Sequence, residues 1–181
     1  MVFTINEQFA AAASVPRHIE NAKKNAYFPD FGRIMGEYGK VVQPMGSVYF
    51  KLDASRAEGE RPATGSTINI AYVVPKDKAD EVQAIFGKHT AWMTEFYAGS
   101  TEHLISCYFT KAPQFKEPTD PSQGETDNVI FTINEEFAAA ASVPRHIENA
   151  KKNDYFPEFG KVMGEYGKVV QPMGSVYFKI R

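Results

Sequence analysis

Apolar residues recur along the chain with two periods, and the periods sort it into strands and helices. Thr67 to Val74 alternates as a strand and stops at Pro75. Ala79, Val82, Phe86, His89, Met93 and Phe96 then follow at spacings of three and four, one face of a helix that Gly99 ends. His103 to Thr110 and Val129 to Asn134 read as further strands. Between them, Lys111 to Asp127 is polar, holds three prolines and reads as a long loop of the binding or lid kind, or as a plain connection. At the N-terminus, Val2 to Ile5 reads as a short strand. A helix capped by Ser14 runs through His18, Ile19 and Ala22 and breaks near Asn25. A second helix carries Phe28, Phe31, Met35 and Tyr38, a turn follows at Pro44 and Gly46, and Ser47 to Leu52 is a strand.

This N-terminal pattern is repeated. Phe3–Lys51 and Phe131–Lys179 are identical at 44 of 49 positions. The differences are Gln8/Glu136, Ala26/Asp154, Asp30/Glu158, Arg33/Lys161 and Ile34/Val162. The second copy closes on a strand at Ser175 to Ile180. Residues 1–52 are therefore an extra βαβ half-unit, 53–66 a polar linker, and 67–181 a domain of order β-α-β-β-α-β. That order is ferredoxin-like, an α+β fold with an antiparallel sheet. The surplus half-unit has an apolar face and open strand edges, which predicts a homo-oligomer in which half-units pair or exchange between chains.

Strand alternation assigns two sheet faces. Ile68, Ile70, Tyr72 and Val74 share one with Ile105, Cys107 and Phe109, with Val129, Phe131 and Ile133, and with Val176, Phe178 and Ile180. This set is apolar enough to pack on the helices. The other face carries Asn69, Leu104, Ser106, Tyr108, Ile130, Thr132, Asn134, Ser175 and Tyr177. It is either half-solvated or paired with another sheet around a cavity.

With INIAYVVP, KADEVQAIFGKHTAWMTEFY and VIFTINEEF…RHIENAKKNDYFPEF…GSVYFKI in place, the chain resembles the dimeric α/β barrel superfamily, which includes antibiotic-biosynthesis monooxygenase-like proteins. The resemblance covers residues 67–181 and repeats over 1–52. It implies two ferredoxin-like units joining their sheets into a barrel, with helices outside and a pocket within each unit. The family spans cofactor-free oxygenases, isomerases and haem enzymes, so membership alone fixes no reaction.

Charge narrows the partners. With 20 basic and 22 acidic residues, net −2, the chain has no footprint for nucleic acid. No apolar run is long enough to span a membrane, and the N-terminus does not read as a signal peptide. The single cysteine, Cys107, excludes an intrachain disulfide and fits a cytoplasmic setting. There is no GxGxxG, phosphate loop or GxSxG, and no closely spaced ligand cluster, so neither a metal nor a cofactor is expected.

Chemistry then rests on scattered residues. His89, on the apolar helix stripe, is a general base or a satisfied core histidine. His18 and His146 are the same position in the two copies, for substrate or anion contact or a surface role. His103 reads as exposed. Asn69, Ser106, Tyr108, Asn134 and Tyr177 would orient a phenolic or quinone-like ligand, or are structural. Trp92 is core or pocket wall, and Cys107 an inert buried thiol. The expected function is binding of a small aromatic or quinone-like molecule, as a cofactor-independent oxygenase or isomerase. The alternative is a non-catalytic oligomeric assembly module.

Overall fold

A computed structural model of the chain describes residues 5, 7–11, 13–39, 47–53, 65–98, 104–118 and 120–175. The elements run α1 (Ser14–Ala22), α2 (Phe28–Tyr38), β1 (Ser47–Asp53), β2 (Ser66–Pro75), α3 (Ala79–Ala98), β3 (Leu104–Phe115), β4 (Glu125–Phe137), α4 (Ser142–Ala150), α5 (Phe156–Tyr166) and β5 (Gly167–Ser175). The fold is mixed α+β. The five strands form one sheet in the order β1-β3-β4-β2-β5, antiparallel at every pairing.

The core lies between the sheet and the helices. Ile68, Ile70, Tyr72 and Val74 of β2, Cys107 and Phe109 of β3, and Val129, Phe131 and Ile133 of β4 are buried there together. Phe86 of α3 ties the layers. Its ring lies 4.9 Å from Tyr72, 6.0 Å from Phe109, 5.6 Å from Phe131 and 5.7 Å from Phe159. These tilted and edge-on contacts, spanning three strands and α5, add to the burial of a large ring.

Three local expectations are corrected. Ser14 is the first helical residue and not a cap; Ala13 holds the cap position with no side-chain bond. The break after α1 does fall near Asn25, whose amide donates to the carbonyls of Asn21 and Ala22 and satisfies the helix end. Lys111 to Asp127 is a loop only in its middle, because β3 extends to Phe115 and β4 begins at Glu125, leaving a connection around the short helical turn Pro121–Gln123. Pro113 is tolerated because the pairing of β1 on β3 stops at Lys111, leaving an edge there. A register shift between Leu104 and Ser106 turns Leu104 into the core and leaves Ile105 half-buried, the reverse of simple alternation.

A strand not expected from the sequence runs over Gly167–Ser175. Its pairing with β2 skips register between Thr67 and Asn69, so Pro172 sits in an irregular edge strand. Apart from Ile5 and Ser175, the expected strands at Val2 to Ile5 and Ser175 to Ile180 lie outside the described residues, as do the turn at Pro44 and Gly46 and most of the linker.

The two copies of the repeat differ in environment. Tyr155, Phe159 and Val162 are 8%, 7% and 6% exposed, whereas their twins Tyr27, Phe31 and Ile34 are 58%, 40% and 47% exposed. α4 and α5 pack into the core; α1 buries no residue.

Phe86→Ala is expected to cost about 3–5 kcal/mol, because it empties the junction of three strands and two helices. Phe31→Ala is expected to cost under about 1 kcal/mol. Urea unfolding midpoints of the two variants check both values.

Candidate functional site: a buried histidine–glutamate–histidine cluster

Three polar side chains converge under α3. The helical stripe of α3 turns His89 toward the sheet beside Phe86 and Met93. Alternation along β4 continues past Ile133, so Glu135 falls on the same helix-facing side, followed by Phe137. α4 buries Val143, His146 and Ala150 as one face and brings His146 to the same place. All three groups are 4% exposed or less.

The carboxylate sits between the two imidazoles. Glu135 Oε1 is 3.4 Å from His89 Nε2, and Oε2 is 3.5 Å from His146 Nε2. Each histidine meets a tyrosine hydroxyl at its other nitrogen. Tyr155 lies 2.7 Å from His89 Nδ1, and Tyr97 lies 2.8 Å from His146 Nδ1. The arrangement that satisfies every group has each Tyr O–H donating to Nδ1 and each Nε2–H directed at the carboxylate. The result is a chain of polar groups, Tyr97–His146–Glu135–His89–Tyr155.

Aromatic rings enclose this chain. His89 stacks on Trp92 at 5.4 Å and lies 4.7 Å from Phe159. His146 stacks on Tyr97 at 6.1 Å and meets Phe137 at 5.3 Å. Trp92 stacks in turn on Phe96 at 5.2 Å. Trp92, Phe96 and Tyr97 are only half-buried, so they form the outer wall of the cluster.

Burial and charge oppose one another at Glu135. Burial pushes its carboxyl up, but His146, the hydrogen bond from His89 and the charge of His89 together hold it below the usual value. Burial pulls His146 down, Glu135 pulls it up, and His89 adds to the downward shift; the net direction is down. Burial also raises the Tyr155 hydroxyl, and Glu135 raises it further, so it stays protonated as a donor.

The expected ligand-binding set is divided between the two sides of the sheet. His89, Trp92 and His146 lie on the helix side. Asn69, Ser106, Tyr108 and Asn134 face the other way, where Asn69, Asn134 and Tyr108 line up across β2, β4 and β3. The two asparagine amides donate to Thr67 and Thr132 on their own strands, at 3.1 and 2.9 Å. Ser106 donates to Glu136 at 3.4 Å. The Tyr108 hydroxyl is pushed up to about 12 by burial, then by Cys107 and Glu136, and is a neutral group at physiological pH. The two sets do not form one site. Tyr177 and His103 lie outside the described residues.

His146 is corrected from a surface or anion-contact position to the core. Cys107 is buried as expected, its thiol raised by burial and by Glu135. The expectation of no ligand cluster is corrected as well. Ligand atoms of His89, Glu135 and His146 lie within 4.8 Å of one another and could hold a metal ion. The groove of about 490 Å³ between α3 and α5 has a charged rim of Lys78, Glu81, Lys88, Glu158, Lys161 and Glu165, and its lining includes no cluster residue. Among the described residues, no helix is long and apolar enough to cross a membrane.

No family model matches the chain, and comparison with curated proteins and with solved structures finds no match.

Acid is expected to destabilise the fold in two steps. Unfolded His146 takes up a proton near its ordinary value of about 6.5, whereas the folded residue resists it, so stability falls as pH drops below that value. Glu135 adds a loss below about 4.5, where the unfolded carboxyl is protonated first. Urea midpoints measured from pH 8 to 4 should be level above about 6.5 and fall below it. His146→Gln should flatten the first step.

Proposed function

We propose that residues 66–175 form a ferredoxin-like unit of the dimeric α/β barrel type that binds a small aromatic or quinone-like molecule and acts on it by proton transfer. The strand order β5-β2-β4-β3 with its intervening helices supports the fold reading. The observation that carries the functional reading is Glu135, a carboxylate enclosed between two histidines and backed by two tyrosines.

A proton-transfer site needs a base with its orientation fixed and a second group to take the charge. Here Glu135 fixes both imidazoles, and the tyrosines fix their tautomers. The ligand would enter along Trp92, Phe96 and Tyr97, whose faces offer stacking partners. A proton taken from an acidic O–H or C–H would pass through Tyr97 and His146 toward Glu135. An isomerase would return it to another atom of the substrate, and an oxygenase would let dioxygen meet the resulting anion.

A second reading rests on the spacing of the cluster. Nitrogen and oxygen ligands 2.0–2.1 Å from a tetrahedral metal ion stand roughly 3.4 Å apart. His89 Nε2 lies 3.4 Å from one Glu135 oxygen and His146 Nε2 3.5 Å from the other, both long for charge-assisted hydrogen bonds, and one ligand atom from each residue lies within 4.8 Å of the others, wider than that edge, so the set would have to close slightly on an ion. Two imidazoles and one carboxylate suit zinc or another divalent transition metal, with the tyrosines as outer partners orienting the rings.

Thermal shift against a panel of phenols, hydroquinones and quinones tests the first reading. Stabilisation by a member of the panel and turnover that drops about 10²–10⁴-fold in His146→Gln are expected. No stabilisation by any member would contradict it. Titration with zinc or manganese tests the second: at a hundredfold excess over Kd, bound metal should stabilise the native chain by about 2.7 kcal/mol and leave His89→Gln unchanged.

A further inference from the structure

The N-terminal half-unit repeats the Glu–His part of the cluster without the α3 part. Glu7, Phe9 and His18 are the counterparts of Glu135, Phe137 and His146. His18 Nε2 lies 3.5 Å from Glu7, the same separation as His146 from Glu135. Phe9 meets His18 at 5.2 Å and 57°, against 5.3 Å and 57° for Phe137 and His146. Tyr27 and Phe31 stand where Tyr155 and Phe159 stand, and Ile5 where Ile133 stands.

What covers this set in the C-terminal copy is visible. His89 accepts from the Tyr155 hydroxyl, rests on Phe159, and belongs to α3. At the rim, Lys88 of α3 pairs with Glu158 at 2.9 Å. In the N-terminal copy Ile5, Tyr27, Phe31 and Ile34 are exposed, and Asp30 stands in the place of Glu158.

We infer that the N-terminal half-unit is half of a second site of the same kind, completed by the α3 face of a second copy of this chain. His89 of that copy would meet Glu7 and Tyr27, Trp92 and Tyr97 would cover His18, and Lys88 would pair with Asp30. The five differences between the copies spare every residue of the cluster. The new interface therefore keeps the cluster residues of the one already present between α3 and the C-terminal half-unit, with Asp30 for Glu158 and Ile34 for Val162. Each chain carries two half-units and one α3, so docking in trans exchanges against the second copy's own C-terminal half-unit. The trade is between near-identical surfaces. This inference does not depend on which reaction or ion the cluster serves.

Zero-length carbodiimide coupling of the full chain tests it, because the reagent joins an amine to a carboxylate in contact. An equal mixture of ¹⁵N-labelled and unlabelled chain is coupled, digested with trypsin and analysed by mass spectrometry. The Lys88–Glu158 product is the internal reference. The peptides bearing Asp30 and Glu158 differ in mass through Ala26/Asp154, Asp30/Glu158 and Arg33/Lys161. The expected result is a Lys88–Asp30 product containing mixed-isotope pairs, reduced in Phe31→Asp while the reference product persists. A Lys88–Asp30 product without mixed pairs would overturn the inference in favour of docking within one chain. Absence of that product, with the reference present, would overturn it outright.

Discussion

A carboxylate cannot be held in a core at 3% exposure without partners that offset the loss of water, and Glu135 is held there. Much of the domain is arranged around that constraint. β4 must run on to Phe137 to bring the side chain to the helix side. α3 and α4, which come from distant parts of the chain, must each present one histidine at the right height. The histidines in turn need a group at Nδ1, and Tyr97 and Tyr155 supply it. Removing one member of such a network leaves a buried charge or an open hydrogen bond, a loss of about 3–5 kcal/mol when an ion pair is broken one-sidedly.

The duplication separates what is local from what is tertiary. In both copies the glutamate and the helix histidine stand at the same separation, although one pair is buried and the other half exposed to solvent. The hydrogen bonds that end α1 and α4 are also repeated, from Asn25 and from Asn153. The half-unit thus encodes its own bend and its own Glu–His pair. Burial comes from α3, and only the C-terminal copy has it. A helix this short, with glycines at 32 and 36, draws little stability from its own backbone, so the apolar face of α2 is the feature with most to gain from docking.

The strong periodicities were legible in the sequence. The stripe through Val82, Phe86, His89 and Met93 gives α3 and its buried face. Alternation gives the helix-packed faces of β2 and β4, and the repeat gives α4 and α5 from α1 and α2. Of the site, His89, Trp92 and His146 were recognisable as residue types on structured elements. Glu135 was hidden because Asn134 and the acidic pair read as the end of a strand; one more step of the alternation that places Ile133 inside would have reached it, with Phe137 confirming the phase. Tyr97 and Tyr155 carry no spacing signal, since one lies late in α3 and the other in a turn whose position depends on packing. Polar composition and prolines masked the β3–β4 extensions, because strand pairing was decided by partners far along the chain. Grouping Asn69 and Tyr108 with the histidines failed for a simpler reason: a sheet lies between them.

The central claim is that Glu135 binds both imidazoles in a fixed tautomer inside the core. Long-range ¹H–¹⁵N NMR of the histidine rings tests it most directly. The account predicts that His89 and His146 carry a slowly exchanging proton on Nε2 at neutral pH, and that Glu135→Gln alters the resonances of both rings together. Rapidly exchanging rings, a mixture of tautomers, or a response of only one histidine to Glu135→Gln would contradict it.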